Sequence, residues 1–288
     1  MVTIEPFPRL SKEMADFCRR SSNEFTRLTP DWVAGCFELD GALPNSYGWR
    51  LSDDESLKRQ MQGVRDTRNA NRIYWLDQAR NVEAYATMTF WRGNEILKAA
   101  IRSLNITEVV TPAILVRSLL ELSATYLNNA NTFEEFFSEL QFPPNTVVVS
   151  AEFEERVIKM IWGTRLGEPP AHVKQTNVLT TIERLAKNPQ ATELLPTYQF
   201  LCEVAHPNVI GNSRYWSHIE HANDDGSNSV TMARHARGDH SNEILEHTLW
   251  ALGWSAGCLR NSFTLVRNGL GKLQEKLDLR GDLRGQCN

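Results

Sequence analysis

The chain is poor in cysteine, with five in 288 residues, and Cys18, Cys36, Cys202, Cys258 and Cys287 are scattered without a C-x-x-C pair. That scatter excludes a disulfide framework and a cysteine-bound zinc module. Charge of neither sign is in excess: 31 basic side chains face 35 acidic ones, for a formal charge of -4 and a pI of about 6.0. Whole-molecule attraction to nucleic acid or an anionic membrane is therefore missing, and such binding would need a local patch. No unbroken apolar run reaches the roughly 20 residues that cross a bilayer. Glu5, Pro6 and Pro8 stand where a secretory leader needs a basic and then an apolar stretch. A cytoplasmic protein without a membrane span is expected. The sequence also lacks G-x-x-x-x-G-K-[ST], G-x-G-x-x-G and H-E-x-x-H, the common nucleotide and zinc-protease signatures, so no cofactor or metal is expected.

What is present is helical spacing. Ser11 is an N-cap for a helix to about Leu28 carried by Met14, Phe17, Cys18 and Phe25. From Thr29 to Arg50, two prolines and three glycines stand among Trp32, Phe37, Tyr47 and Trp49. This stretch reads as an ordered, non-helical aromatic arm suited to a partner subunit. Ser52-Asp-Asp-Glu55 has capping-box spacing. The strongest periodicity runs from about Asn71 to Leu104, with Gly93 as the expected bend, and Thr111-Pro112 opens a helix through Asn128. Thr132-Phe-Glu-Glu135 predicts a separate short helix, and Ser150 caps one reaching Trp162.

Further helices are expected at about Thr176 to Lys187 and Ala191 to Ala205. A hairpin is expected near 214–236 around Asn223-Asp-Asp-Gly226, and a last helix from Ser241 to Asn268 that ends at Gly269. Gly253 and Gly257 are spaced for close helix approach. The predicted fold is mainly α, a helical bundle with a small β-hairpin insertion. It comprises an N-terminal helix and arm over 1–50, a bundle over 51–270 and a fraying charged tail over 271–288, in one compact domain.

One constellation carries possible chemistry. Arg117 and Glu121 lie one helical turn apart, as do Glu203 and His206, the latter pair within Tyr198-Gln-Phe-Leu-Cys-Glu203-Val-Ala-His206-Pro-Asn208. If the two helices pack together, an arginine, two carboxylates and an imidazole meet in a Leu-rich bundle. One use is a paired network that fixes helix register. The other is a site in which Arg117 holds an anion while Glu203 and His206 move protons.

Arg-Ser-Leu-Leu-Glu, then Trp162-Gly163-x-Arg165, then Tyr-x4-Glu-x-x-His-Pro-Asn resembles an uncharacterised family of bacterial helical proteins. That family is loosely similar to the HEPN and abortive-infection superfamily. The resemblance covers about Asn71 to Arg214. It implies a homo-oligomer acting in stress or phage defence on RNA or a protein partner, as a metal-independent ribonuclease. Arg117, Glu203 and His206 would be catalytic, with Glu121, Tyr198, Asn208 and Arg214 binding. The Arg-x4-6-His spacing of HEPN ribonucleases occurs at Arg165/His172, Arg214/His221 and Arg234/His240, about as often as chance places it. From a different class comes a non-enzymatic interaction or sensor module whose polar cluster is structural.

Two further features stand apart from this cluster. Lys58, Arg65 and Arg72 recur every seven residues with Arg68 between. On one helix they would form a basic stripe able to follow a phosphate backbone, with Arg65 and Arg72 as binding residues. His206, His218, His221, His235, His240 and His247 crowd one span, but no spacing there assembles three metal ligands.

Overall fold

A computed structural model describes residues 7–164, 167–168, 170, 173–174, 177–208, 212, 217–232 and 241–277. Among the described residues the chain is mainly helical, with one two-stranded antiparallel sheet. The helices are α1 (Lys12–Arg20), α2 (Glu24–Ala42), α3 (Asp54–Met61), α4 (Thr67–Asn105), α5 (Val110–Glu139), α6 (Ala151–Trp162), α7 (Val178–Leu185), α8 (Leu194–Ala205) and α9 (Ser241–Leu277). β1 (Ser217–Ala222) and β2 (Asn228–Met232) pair through a turn at Gly226, whose φ of 82° suits glycine. The chain divides into two compact units, one of residues 1–40, 92–125 and 178–260, the other of 41–91, 126–177 and 261–288.

The arm expected from Thr29 to Arg50 is helix as far as Ala42, and only residues 43–50 are non-helical as expected. α2 runs through Pro30, because Thr26, Thr29, Val33, Cys36 and Phe37 form a buried stripe at helical spacing. Burial of that stripe outweighs the backbone bond that Pro30 cannot donate. The Thr29 hydroxyl donates to the Leu249 carbonyl at 2.9 Å. A Cβ on Gly253 would lie 3.1 Å from the Thr29 Cα, and one on Gly257 3.2 Å from the Trp32 ring. These glycines therefore let α9 lie directly on α2. Gly93 has the same purpose, since a Cβ there would meet the Leu259 side chain. Ser11 caps α1 by accepting from Met14 N at 3.3 Å, while the Asn105 side chain bridges Ser11 N and Arg9 O at 2.7 Å each.

In the second unit an aromatic cluster forms the core. Trp75 of α4, Phe133, Phe136 and Phe137 of α5 and Phe153 of α6 pack together, with the Phe136 and Phe153 rings 4.5 Å apart. Ser150 caps α6 as expected, accepting from Phe153 N at 3.2 Å. Three expectations are corrected. Thr132 does not open a new helix: its hydroxyl turns back to the Asn128 carbonyl at 3.0 Å, so α5 continues to Glu139. Gly269 does not end α9, which runs on to Leu277; a Cβ there would crowd Glu134 Cα at 3.2 Å, so its role is close approach. Residues 271–277 do not fray, since Leu273 and Leu277 are buried and Lys276 Nζ donates to the Phe137, Ser138 and Leu140 carbonyls at 2.7–3.0 Å.

Although α5 has no unbroken apolar run, it is, among the described helices, long and apolar enough by length and composition to cross a bilayer, with 44% of that stretch buried in the protein. A buried core helix has the same character.

Candidate functional site

The polar cluster forms between α5 and α8, within the first unit. Arg117 and Glu121 occupy successive turns of α5, and Tyr198 and Cys202 successive turns of α8, so four polar side chains share one seam. Arg117 Nη2 lies 3.0 Å from Glu121 Oε1, and Arg117 Nε donates to Cys202 Sγ at 3.1 Å. The Tyr198 hydroxyl donates to the same Glu121 Oε1 at 2.8 Å, and its ring centroid is 5.7 Å from the guanidinium carbon. The Arg117 and Glu121 side chains are 30% and 27% exposed and Tyr198 is buried, so water reaches only the rim.

The electrostatics match this arrangement. Partial burial pulls the Arg117 pKa down, but the Cys202 sulfur and the Glu121 carboxylate outweigh it and leave the guanidinium above its ordinary value. Burial, followed by the bond to Glu121, pushes the Tyr198 phenol up, so it is a fixed donor across the physiological range. Arg117 supplies one positive charge and Glu121 one negative charge, and they meet each other.

Convergence stops there, which corrects the expected four-residue site. Tyr198 and Cys202 face α5, whereas Glu203 is rotated about 100° further round α8 and is exposed. Its partner is Asn208, whose Nδ2 donates to Glu203 Oε2 at 3.2 Å. His206 is also exposed and ends the helix, its backbone N–H donating to the Cys202 and Glu203 carbonyls. No hydrogen bond or ion pair joins Glu203 or His206 to Arg117 or Glu121.

The basic stripe is not one helix face either. Gly63, with φ of 80°, breaks the chain after α3, and Asp66 starts α4 by accepting from Arg68 N and Asn69 N. Lys58 therefore lies on α3, Arg65 in the link, and Arg68 and Arg72 on α4, with all three arginines exposed. Arg165, His172, Arg214, Arg234, His235 and His240 lie outside the described residues, as do the side chains of His218 and His221.

Sequence reasoning missed Cys202, which its i+4 spacing from Tyr198 could have signalled, and it missed the setting of His247. That ring stacks on Phe200 with centroids 4.2 Å apart, and Thr197 Oγ1 lies 3.2 Å from its Nδ1. A further motif is present: Gly253-Trp-Ser-Ala-Gly257 spells G-x-S-x-G, the pattern of hydrolase nucleophile elbows. Ser255, however, is fully buried inside α9 rather than raised on a strand-to-helix turn, so it cannot reach a substrate. Among the described residues no three His, Cys, Asp or Glu side chains are grouped to hold a metal. An open recess of about 700 Å³ lies along α1, lined by Lys12, Glu13, Asp16, Arg19 and Arg20, away from the cluster. Compared with models of known families, with curated proteins and with solved structures, the chain finds no match.

Proposed function

We propose that this chain is a helical interaction module of the cytoplasm, forming homo-oligomers, in which the Arg117–Glu121–Tyr198–Cys202 network holds α5 on α8. The supporting observation is that Glu121 Oε1 takes both the Arg117 guanidinium and the Tyr198 hydroxyl. A catalytic arginine needs its charge available for a substrate anion, and this one is matched inside the protein. The reading is tested with Arg117→Ala, Glu121→Ala and Tyr198→Phe. Each should lower the melting temperature, and no variant nor the parent should cleave RNA.

The second reading, a HEPN-like ribonuclease of stress or phage defence, is favoured by the exposed His206 beside the Glu203–Asn208 pair. There Glu203 and His206 handle protons and Arg65, Arg72 and Arg214 meet phosphates. Metal-independent cleavage of single-stranded RNA, abolished by His206→Ala at an unchanged melting temperature, would establish it and overturn the first.

A further inference from the structure

In the second unit, the segment between α5 and α6 behaves as a strand with one open edge. Its even-numbered residues are held by α4 side chains. Asn71 Nδ2 donates to Thr146 O at 2.9 Å, and Val148 N donates to Asn71 Oδ1 at 2.7 Å. Trp75 Nε1 donates to Val148 O at 3.0 Å, and Ser150 N to the Tyr74 hydroxyl at 3.2 Å. This alternation is the signature of extended backbone, whose successive N–H and C=O groups point to opposite sides. Val147 and Val149 face away from α4. Their backbone donors and acceptors have no partner among the described residues, and they are 47% and 62% exposed.

Such an edge is a template for another extended backbone. We infer that its occupant is the same segment of a second copy of this chain, paired antiparallel about a two-fold axis at Val148. The register follows from the pattern. With Val148 opposite Val148 of the other copy, each Val147 faces a Val149, and the two outward-facing residues of each chain exchange four N–H···O=C bonds. Charge allows the approach, since residues 140–151 contain no ionisable side chain. The edge is short, about 10 Å for three residues, against the roughly 800 Å² per partner of a stable interface. The dimer is accordingly weak and reversible. This inference deepens the homo-oligomer of the proposed function and rests on that part of it, not on the role of the α5/α8 cluster; a monomer overturns both, whereas a dimer indifferent to Val149→Pro overturns this pairing alone.

Sedimentation analysis of the full chain over a concentration series up to the millimolar range tests it. A reversible dimer with a dissociation constant on the order of 100 µM is expected. Val149→Pro, which deletes one outward N–H, should weaken it at least tenfold, whereas Val149→Thr, which keeps the backbone, should not. A monomer throughout, or a dimer indifferent to Val149→Pro, overturns the proposal. Should Val149→Pro fail to fold, amide exchange at Val147 and Val149 in the unaltered protein decides. Slowing with concentration supports the pairing, and concentration-independent exchange overturns it.

Discussion

The Tyr198 hydroxyl reaches across from α8 to Glu121 on α5, and the oxygen it meets at 2.8 Å is the one that Arg117 approaches at 3.0 Å. A single carboxylate oxygen thus ties two helices, and the three side chains stand or fall together. Tyr198→Phe removes one bond to a charged acceptor and should cost about 1.5 kcal/mol. Arg117→Ala leaves Glu121 without its countercharge and should cost more. The double variant should cost less than the sum of the singles, since the residues share a partner. Chemical denaturation of the three variants measures this, and strict additivity would mean the residues act independently.

Asp77 gives a dependence on pH. It is 6% exposed on α4, Asn81 Nδ2 donates to its Oδ2, and among the described residues no geometric hydrogen bond reaches its Oδ1. Burial raises its pKa above the ordinary 3.8, against the lowering effects of Ser52, Arg80, Arg50 and Asn81. A carboxyl with a raised folded-state pKa contributes stability below its unfolded value and loses it as pH rises through the folded value. Asp77→Asn should therefore be more favourable relative to the parent at pH 7.5 than at pH 4. Thermal melts at both values should show the difference narrowing on the acid side.

The glycines of α9 divide by surroundings. Gly253→Ala forces a methyl to within 3.1 Å of the Thr29 Cα and should destabilise by about 1–3 kcal/mol. A Cβ on Gly271 meets nothing within 4 Å, and Gly271→Ala should stabilise by up to about 1 kcal/mol. Melting temperatures moving in opposite directions check the pair.

Truncation after Gly271 removes Leu273, Leu277 and the Lys276 ammonium that satisfies three carbonyls at the end of α5. The loss should exceed about 3 kcal/mol. A truncated chain that melts like the full one would mean this turn of α9 is dispensable.

Much of this architecture was legible in the sequence. Ser11, Ser150 and the Asn223–Gly226 turn act locally, and they stand where spacing put them. The failures share a cause. Pro30, Thr132 and Gly269 are breakers or caps by local rule, but each is overridden by a partner distant in the chain or by the continuity of a buried stripe. The seam between α5 and α8 was half readable: i,i+4 spacing pairs Arg117 with Glu121, yet which face of α8 meets them is settled by packing. That packing selected Tyr198 and Cys202 over Glu203 and His206.

The bonds that fasten α1 and α2 to α9 also fix an order of events during synthesis. Ser21 bonds Glu246, and Thr29 bonds Leu249, across 225 and 220 residues of chain. At roughly 5–20 residues per second, the buried stripe of α2 waits on the order of ten seconds or more after it is made before the surface it needs exists. Throughout that interval the side of α2 that meets α9 has no native cover, and the native partners already made are Phe7 against Phe37 and, from α4, Asn94 beside Cys36. Shielding of that apolar helix face at the ribosome should therefore raise the yield of folded chain, independently of the stability of the finished fold.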